Sequence, residues 1–176
     1  MARAYLSIGS NIAPAANVLA ALELLSDSFG PLLCSAVYRT PAVGFEGEDF
    51  LNMVVGIDTT LAPLALAQTL RGFEDRCGRR RGGPRFSART LDLDVLTYDD
   101  LVLETAGLTL PRAEITEQAF VLGPLAEIAG DERHPVLGVS YAELWQAMVP
   151  TVAPLARVAL PGLDAVPQMS PTEKGP

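Results

Sequence analysis

Two aspartates, Asp92 and Asp94, interrupt an otherwise apolar run in the stretch RTLDLDVL and are the residues best suited to chemistry. Because side chains alternate along a strand, both carboxylates point to one face while Leu93 and Val95 point to the other. Their Cβ atoms would lie roughly 6 to 7 Å apart, so the two charges repel unless water or a cation lies between them. A solvated strand face and a divalent-metal site are therefore the two alternatives.

Positive charge is concentrated beside this pair, in the glycine-rich stretch GRRRGGPRFSAR, although the chain carries a formal net charge of −8. Guanidinium groups bind phosphate oxygens in bidentate fashion, and glycines let a loop close over a ligand. Carboxylates next to arginines therefore indicate a site for a magnesium-bound nucleotide. A solvated charge run or a docking patch for an acidic partner is the alternative. The arginines of this stretch are Arg79, Arg80, Arg81, Arg85 and Arg89.

Composition excludes several classes of function. A pI near 4.6 argues against a protein that mainly grips nucleic acid, and no apolar stretch approaches the ~20 residues of a membrane span. The only lysine is Lys174 and no GxxxxGK[ST] motif occurs, so a phosphate site here is not a P-loop. The single histidine, His134, leaves no histidine-based metal site, and Cys34 and Cys77 indicate reduced thiols. We expect a cytoplasmic protein without membrane, nucleic-acid or obligate protein partners.

One polar residue stands out in an apolar strand. Asn52 lies between Leu51 and Met53, and a buried amide needs hydrogen-bond partners that a flat heterocycle can supply. Phe50 and Phe120 have a simpler interpretation as core residues.

The elements that position these residues follow from apolar periodicity. Helices are predicted from Pro14 to Gly30 and from Thr60 with Pro63 to Gly78. The element order β-α-β-β-α-β predicts an α+β, ferredoxin-like fold, in which an antiparallel sheet carries helices on one face. The predicted strands are residues 4–9, 32–40, 50–59 and the LDLD segment, from which TYDDLVLE turns into a short hairpin partner.

The C-terminal third adds helices and a tail. After LTLP, a helix is predicted around residues 117–129 and a short one near SYAELWQAM, with Ser140 as its cap. Residues 1–149 are predicted to form one domain. Six of the 14 prolines fall in residues 150–176, so we expect an extended arm or tail there, disordered at least past about residue 165.

Five motifs occur in order between about residues 4 and 130: YLSIGSN, SAVYRTPAVG, EDFLNMVV, the Arg-rich stretch with RTLDLD, and LTLP followed by AFVLGPLAEI. Together they resemble the 6-hydroxymethyl-7,8-dihydropterin pyrophosphokinase family of folate biosynthesis. The resemblance implies an α+β, ferredoxin-like fold. It also implies transfer of pyrophosphate from ATP to 6-hydroxymethyl-7,8-dihydropterin, which yields the pterin diphosphate and AMP.

The same resemblance assigns residues to the nucleotide side. Asp92 and Asp94 would hold two magnesium ions that bridge the triphosphate, since Mg²⁺ prefers oxygen ligands. Arg79 and Arg89 match arginines that contact the phosphates. Other residues that the resemblance places near ATP are Glu74, Arg81, Arg85, Phe86, Val95, Thr109 and Arg112.

On the pterin side, the resemblance implies that Phe50 and Phe120 stack on the two ring faces and that Asn52 hydrogen-bonds the ring edge. The backbone of three residues, Thr40, Pro41 and Val43, would complete the pocket.

Four positions depart from the family pattern. Arg112 and Ala113 stand where the family commonly has His-Tyr, Phe86 replaces a Trp, and Gln118 replaces an Arg. Histidine, tyrosine and tryptophan serve the ATP side in the family, so we expect an active enzyme with altered nucleotide affinity. The alternatives are a degenerate member that binds pterin or nucleotide without turnover, and an unrelated ferredoxin-like regulatory domain whose arginines bind a protein or an RNA.

Overall fold

The computed structural model describes residues 1–42, 44–78 and 90–172 of the chain. Its strands are β1 (Ala2–Ser10), β2 (Leu33–Cys34), β3 (Val37–Thr40), β4 (Phe50–Thr59), β5 (Asp92–Tyr98), β6 (Leu103–Glu104), β7 (Thr109–Leu110) and β8 (Ala156–Val158). Its helices are α1 (Pro14–Phe29), α2 (Pro63–Arg76), α3 (Glu114–Glu117), α4 (Ala119–Ala129) and α5 (Tyr141–Met148), with 3-10 turns at Val149–Thr151 and Leu163–Ala165.

The main sheet is antiparallel, with strand order β5-β1-β4-β3-β8 and with β2 paired to β4 beside β3. Its first four strands are arranged as two interlocked β-α-β units, each with an antiparallel strand inserted between its own two strands. The predicted α+β, ferredoxin-like fold is therefore confirmed. β5, which carries both aspartates, is the strand at one edge of the sheet.

Helices cover both faces of this sheet. Leu6 and Val55 face α1 and α2, whereas their neighbours Tyr5 and Val54 face α4 and α5. β1 and β4 are buried almost throughout their length, because layers of helices cover both faces of the sheet. The prediction of helices on one face was incomplete, because the C-terminal helices form a second layer.

The predicted strand at residues 32–40 is broken in two. At Ser35 the side-chain Oγ accepts the N–H of Val54 at 3.0 Å, while the Ser35 N–H donates to the Val54 carbonyl. The backbone N–H of Ala36 donates instead to the Glu127 carboxylate on α4, at 2.8 Å. Side chains therefore supply hydrogen-bond partners for backbone groups between β2 and β3, and the backbone hydrogen bonding with β4 is interrupted there.

Two predicted connections also differ. α2 begins at Pro63 with Ala62 as its N-cap and no side-chain cap, so Thr60 does not start the helix. After the turn at Asp99, β6 pairs with β7 and not with β5, so the predicted hairpin partner of the LDLD strand is wrong. In the described part of the chain, β5 therefore pairs with β1 alone, and its other edge borders the candidate site.

The C-terminal helices begin at local signals. α5 starts after its N-cap Ser140, whose Oγ accepts the Glu143 N–H in a capping box, as predicted. The helix predicted around 117–129 is divided at Gln118, which is extended (φ −119°, ψ 120°) and separates α3 from α4. Among the described residues, no helix has the length and apolarity to span a membrane.

The C-terminal arm packs against the sheet. β8 pairs with β3, and beyond it Leu160 and Val166 are buried against α1 and the sheet. Leu32 exchanges backbone hydrogen bonds with the chain at Pro167 and Met169. Apolar side chains and these backbone hydrogen bonds therefore hold the arm as far as Met169, whereas disorder past about residue 165 stays a prediction.

Candidate functional site

The register of the sheet places three predicted site positions in one row. Asp92 on β5 lies opposite Gly9 on β1, and Gly9 lies opposite Asn52 on β4. Directly opposed residues in antiparallel strands point to the same face, so Asp92 and Asn52 face α4 with only a glycine between them. Two strand spacings of about 4.8 Å separate the carboxylate position from the amide position by roughly 10 Å.

A cavity of about 370 Å³ lies over this row, between the sheet and α4. We call it the aromatic cavity. Both predicted metal carboxylates and most of the predicted pterin residues line it, namely Thr40, Pro41, Phe50, Asn52, Asp92, Asp94 and Phe120.

Asn52 is held in place before any ligand binds. Its Nδ2 donates a hydrogen bond to Thr40 Oγ1 at 2.6 Å, and both side chains are buried. A Cβ on Gly9 would lie 2.9 Å from Asn52 Oδ1, so only glycine leaves room for the amide to lie across β1. The Nδ2 side of the amide is thus hydrogen-bonded within the protein, while the amide group as a whole borders the cavity.

Phe45 also lines the aromatic cavity and was missed by sequence reasoning. Its ring meets that of Phe50 edge to face, with centroids 6.4 Å apart and planes at 87°. Such pairing fixes the orientation of a ring beyond what burial provides. Phe45 lies in the irregular GFEGED stretch, where no periodicity indicates which residues return to the sheet.

A second cavity of about 290 Å³ lies on the other side of the aspartates, between β5, α2 and the β6–β7 hairpin. We call it the charged cavity. It includes three of the predicted nucleotide residues, Glu74, Val95 and Arg112, and Asp92, Asp94 and Arg112 line both cavities. The paired carboxylates therefore form a wall between an aromatic compartment and a charged one.

Glu74 is buried on α2 and braces the strand that carries the aspartates. Its Oε2 accepts the backbone N–H of Leu93 at 3.0 Å, between Asp92 and Asp94 in sequence. On an edge strand that N–H has no neighbouring strand on this side, and the carboxylate takes the partner's place. Arg71, one turn earlier on α2, also lines the charged cavity and was not predicted.

Asp94 lies in an unfavourable place for a negative charge. Burial is the main cause that raises its pKa to about 6; Arg112 opposes this shift, and the nearby carboxylates of Asp92, Glu74 and Glu114 contribute to it. Nη1 of Arg112 lies 3.6 Å from Asp94 Oδ1. A carboxylate that is costly to ionise becomes a good ligand for an added cation, because the cation removes the repulsion.

The donor set fits a magnesium ion shared with a ligand. In the described part of the chain, no group of three or more His, Cys, Asp or Glu side chains could hold a metal alone. Asp92 and Asp94 supply oxygen donors at the junction of the two cavities, and Mg²⁺ commonly takes one or two carboxylates together with phosphate oxygens and water. The site therefore fits a metal completed by a phosphorylated ligand.

Some predicted residues are not brought into the site. Thr109 is exposed on β7, and its neighbours Gly107 and Leu108 line the charged cavity instead. Gln118 lines the aromatic cavity. The predictions for Val43, Arg79, Arg81, Arg85, Phe86 and Arg89 lie outside the described residues.

A larger cavity of about 530 Å³ lies away from these residues, between α4, α5 and the C-terminal arm. Its one carboxylate among the described lining residues, Glu127, already accepts hydrogen bonds from Ala36 N–H and from the Tyr38 hydroxyl, at 2.8 and 2.7 Å. The rest of its lining is mainly apolar. Size therefore does not identify the reactive site, and the chemistry of the lining favours the two smaller cavities.

Known proteins resemble this chain in sequence and in fold. The chain is 45% identical over 138 residues to 2-amino-4-hydroxy-6-hydroxymethyldihydropteridine pyrophosphokinase of Methylorubrum extorquens, which covers 74% of this chain and 85% of the relative. It is 36% identical over 174 residues to the enzyme of the same name from Synechocystis sp., which covers 97% of this chain and 87% of the relative.

Among solved structures, a Plasmodium falciparum HPPK-DHPS chain superposes with a TM-score of 0.70 at 13% identity. The match covers 85% of this chain but only 43% of that one, so the present chain spans less than half of the solved chain. This likeness supports the fold alone. The family model for 7,8-dihydro-6-hydroxymethylpterin-pyrophosphokinase matches residues 5–130, which include both cavities and the row of Asp92, Gly9 and Asn52. The chain therefore belongs to the 7,8-dihydro-6-hydroxymethylpterin-pyrophosphokinase family.

Proposed function

We propose that this protein transfers the β,γ-pyrophosphoryl group of ATP to the hydroxymethyl oxygen of 6-hydroxymethyl-7,8-dihydropterin, in folate biosynthesis. The observation that carries the proposal is the wall of paired carboxylates between two cavities of different character. One compartment suits a flat heterocycle and the other suits a phosphate chain, so donor and acceptor meet at Asp92 and Asp94. Its relatives from Methylorubrum extorquens and Synechocystis sp. are named for this reaction.

In the aromatic cavity, the rings of Phe50 and Phe120 would confine the plane of the pterin, and Asn52 would orient its edge. This placement directs the hydroxymethyl group toward the aspartates, because Asn52 and Asp92 lie at opposite ends of one row across the sheet. Val43 and the backbone of Thr40 and Pro41 would complete the pocket.

In the charged cavity, Arg112 and Glu74 would lie beside the nucleotide, and we assign Arg79 and Arg89 to the phosphates with Arg81, Arg85 and Phe86 nearby. Asp92 and Asp94 would hold two magnesium ions, which neutralise phosphate oxygens and keep the chain aligned when bound. The acceptor oxygen then forms a bond to the β-phosphorus while the bond from that phosphorus to the α-bridging oxygen breaks. AMP leaves with the electron pair, and the hydroxyl proton passes to solvent or to a phosphate oxygen.

The test is the nucleotide product formed from ATP, Mg²⁺ and the pterin, separated by chromatography. Pterin-dependent AMP is expected from the wild type and from Asp100→Asn, an exposed carboxylate just beyond β5. Asp94→Asn is expected to form none. ADP would indicate a different phosphotransferase, and measurable pterin binding without turnover would support a degenerate binding protein.

A further inference from the structure

Arg112 bridges two carboxylates at the junction of the cavities. Its Nε and Nη2 donate to the two oxygens of Glu114, each at 3.1 Å, and its Nη1 approaches Asp94 Oδ1 at 3.6 Å. About a third of each of the Arg112 and Asp94 side chains is exposed. The guanidinium therefore lies beside one of the two carboxylates proposed to hold metal.

The backbone of Arg112 is fixed relative to Asp94. Its N–H donates to the carbonyl of Leu96 at 2.9 Å, two residues beyond Asp94 on the same strand. Only the long side chain of Arg112 can therefore move from these carboxylates to another anion. Arg112 lines the charged cavity as well as the aromatic one, so a phosphate chain in the charged cavity would be within its reach.

A divalent cation and a guanidinium compete for the same carboxylate, because each neutralises it and the two cations repel each other. We propose that Arg112 is an internal counter-ion for Asp94, which weakens metal binding by the free protein until a nucleoside triphosphate draws the guanidinium away. This inference rests on the proposed function. It makes Arg112 a positioning residue that couples metal binding to nucleotide binding.

The triphosphate is the appropriate anion to release Arg112. The planar fork that pairs with Glu114 matches phosphate oxygens equally well, and a triphosphate carries more charge than a single carboxylate. Once the guanidinium moves, Asp94 loses this counter-ion beside the same phosphates. Metal would then enter with the nucleotide and would not be stored in the free enzyme.

The test is direct binding of Mn²⁺, followed by the electron paramagnetic resonance signal of the free ion, at about pH 7.5, where carboxylates are ionised. Without nucleotide, Arg112→Ala is expected to bind Mn²⁺ about tenfold more tightly than the wild type, or more, because a positive charge beside Asp94 is lost. Arg112→Lys keeps the charge and is expected to stay close to the wild type. Arg133→Ala, which removes an exposed arginine bonded to Gly138 far along the chain, is the matched control and should change nothing.

Two further Mn²⁺-binding measurements test whether the effect of Arg112→Ala depends on Asp94 and on the nucleotide. Adding Asp94→Asn to Arg112→Ala should abolish the gain, which assigns it to this carboxylate. A nonhydrolysable ATP analogue should remove the difference between wild type and Arg112→Ala, because the analogue already occupies the guanidinium in the wild type.

Equal Mn²⁺ affinity of the wild type and a folded Arg112→Ala, without nucleotide, would overturn the inference. Circular dichroism establishes that the variants are folded. The product assay on the wild type separates this outcome from failure of the proposed function. Tighter Mn²⁺ binding by Arg112→Ala in a protein that makes no AMP would support the counter-ion role of Arg112 and contradict the proposed pyrophosphoryl transfer.

Discussion

The aromatic cavity and the charged cavity share a wall but are organised differently. In the aromatic cavity, Asn52 is already bonded to Thr40 and Phe50 is already packed against Phe45, so binding groups are in place without a ligand. In the charged cavity, the carboxylates of Asp92, Glu74 and Glu114 repel the charge of Asp94, and the guanidinium of Arg112 opposes their effect. The aromatic cavity is preorganised. In the charged cavity, the carboxylates repel one another, and added cations bound together with phosphates would relieve that repulsion.

Under the proposed function, this difference would separate recognition of the acceptor from assembly of the donor site. The rigid compartment is built on strand positions, whose directions follow from register. The charged compartment draws on a helix, a hairpin and the segment after β7. Arg112, whose Nη1 lies 3.6 Å from Asp94 Oδ1, belongs to this second part of the site.

The largest expected effect comes from the shared wall. Asp92→Asn should reduce turnover by about 10³-fold or more, because one of two proposed metal carboxylates loses its charge while its shape is kept. The measurement is kcat for pterin-dependent AMP formation, with the melting temperature as a check of folding. Asp100→Asn serves as the control, and turnover within about twofold of wild type in a folded Asp92→Asn would contradict the assignment.

A smaller effect should separate the two compartments. Asn52→Ala should weaken pterin binding by roughly 10- to 100-fold, since it removes the oriented amide and leaves the Thr40 hydroxyl without that partner. Affinity for a nonhydrolysable ATP analogue should stay unchanged. Calorimetric titration with each ligand measures both, and equal losses for pterin and nucleotide would show that the cavities do not act independently. Asn17→Ala, on the exposed side of α1, is the matched control.

A subtler change tests the preorganisation itself. In Gly9→Ala, the added Cβ would meet Asn52 Oδ1 at 2.9 Å and should push the amide aside, weakening pterin binding by about tenfold. Gly72→Ala is the control, because a Cβ there meets nothing within 4 Å. As an exposed position inside α2, Gly72→Ala should also stabilise the protein by roughly 0.5 to 1 kcal/mol. Unchanged pterin affinity in Gly9→Ala would contradict the role given to this glycine.

The smallest effect concerns pH and the charged wall. The folded state raises the pKa of Asp94 from 3.8 to about 6, so between these values the folded protein binds more protons than the unfolded chain. This group's contribution to the free energy of unfolding therefore falls as pH rises through that window. Relative to wild type, Asp94→Asn should gain stability from pH 4 to pH 6.5, as measured by urea unfolding at each pH. A constant difference between the two proteins across this window would contradict the raised pKa.

The sequence predicts well where local signals decide the structure. Pro14 opens α1, Ser140 caps α5, and the apolar run of β4 has the predicted limits. Alternation along β5 also predicted that Asp92 and Asp94 share a face, which is why a metal site could be suggested from spacing. These features depend on backbone sterics and on neighbours within a few residues.

Tertiary contacts decide the features that the sequence did not predict. Ser35 interrupts a strand because its hydroxyl meets Val54, and β8 joins the sheet edge more than 100 residues away from β3. Phe45 and Arg71 enter the cavities only when distant elements meet. A single-sequence pattern carries no signal for such pairs, so the partners of the site were harder to predict than its carboxylates.

The most direct test of the shared wall is a crystal structure with the pterin, a nonhydrolysable ATP analogue and Mg²⁺ bound together. We expect the pterin in the aromatic cavity, the triphosphate in the charged cavity, and metal at Asp92 and Asp94. The acceptor oxygen should lie about 3 to 3.5 Å from the β-phosphorus, the separation of groups poised to react. Both ligands on one side of the aspartates, or metal bound away from them, would contradict it.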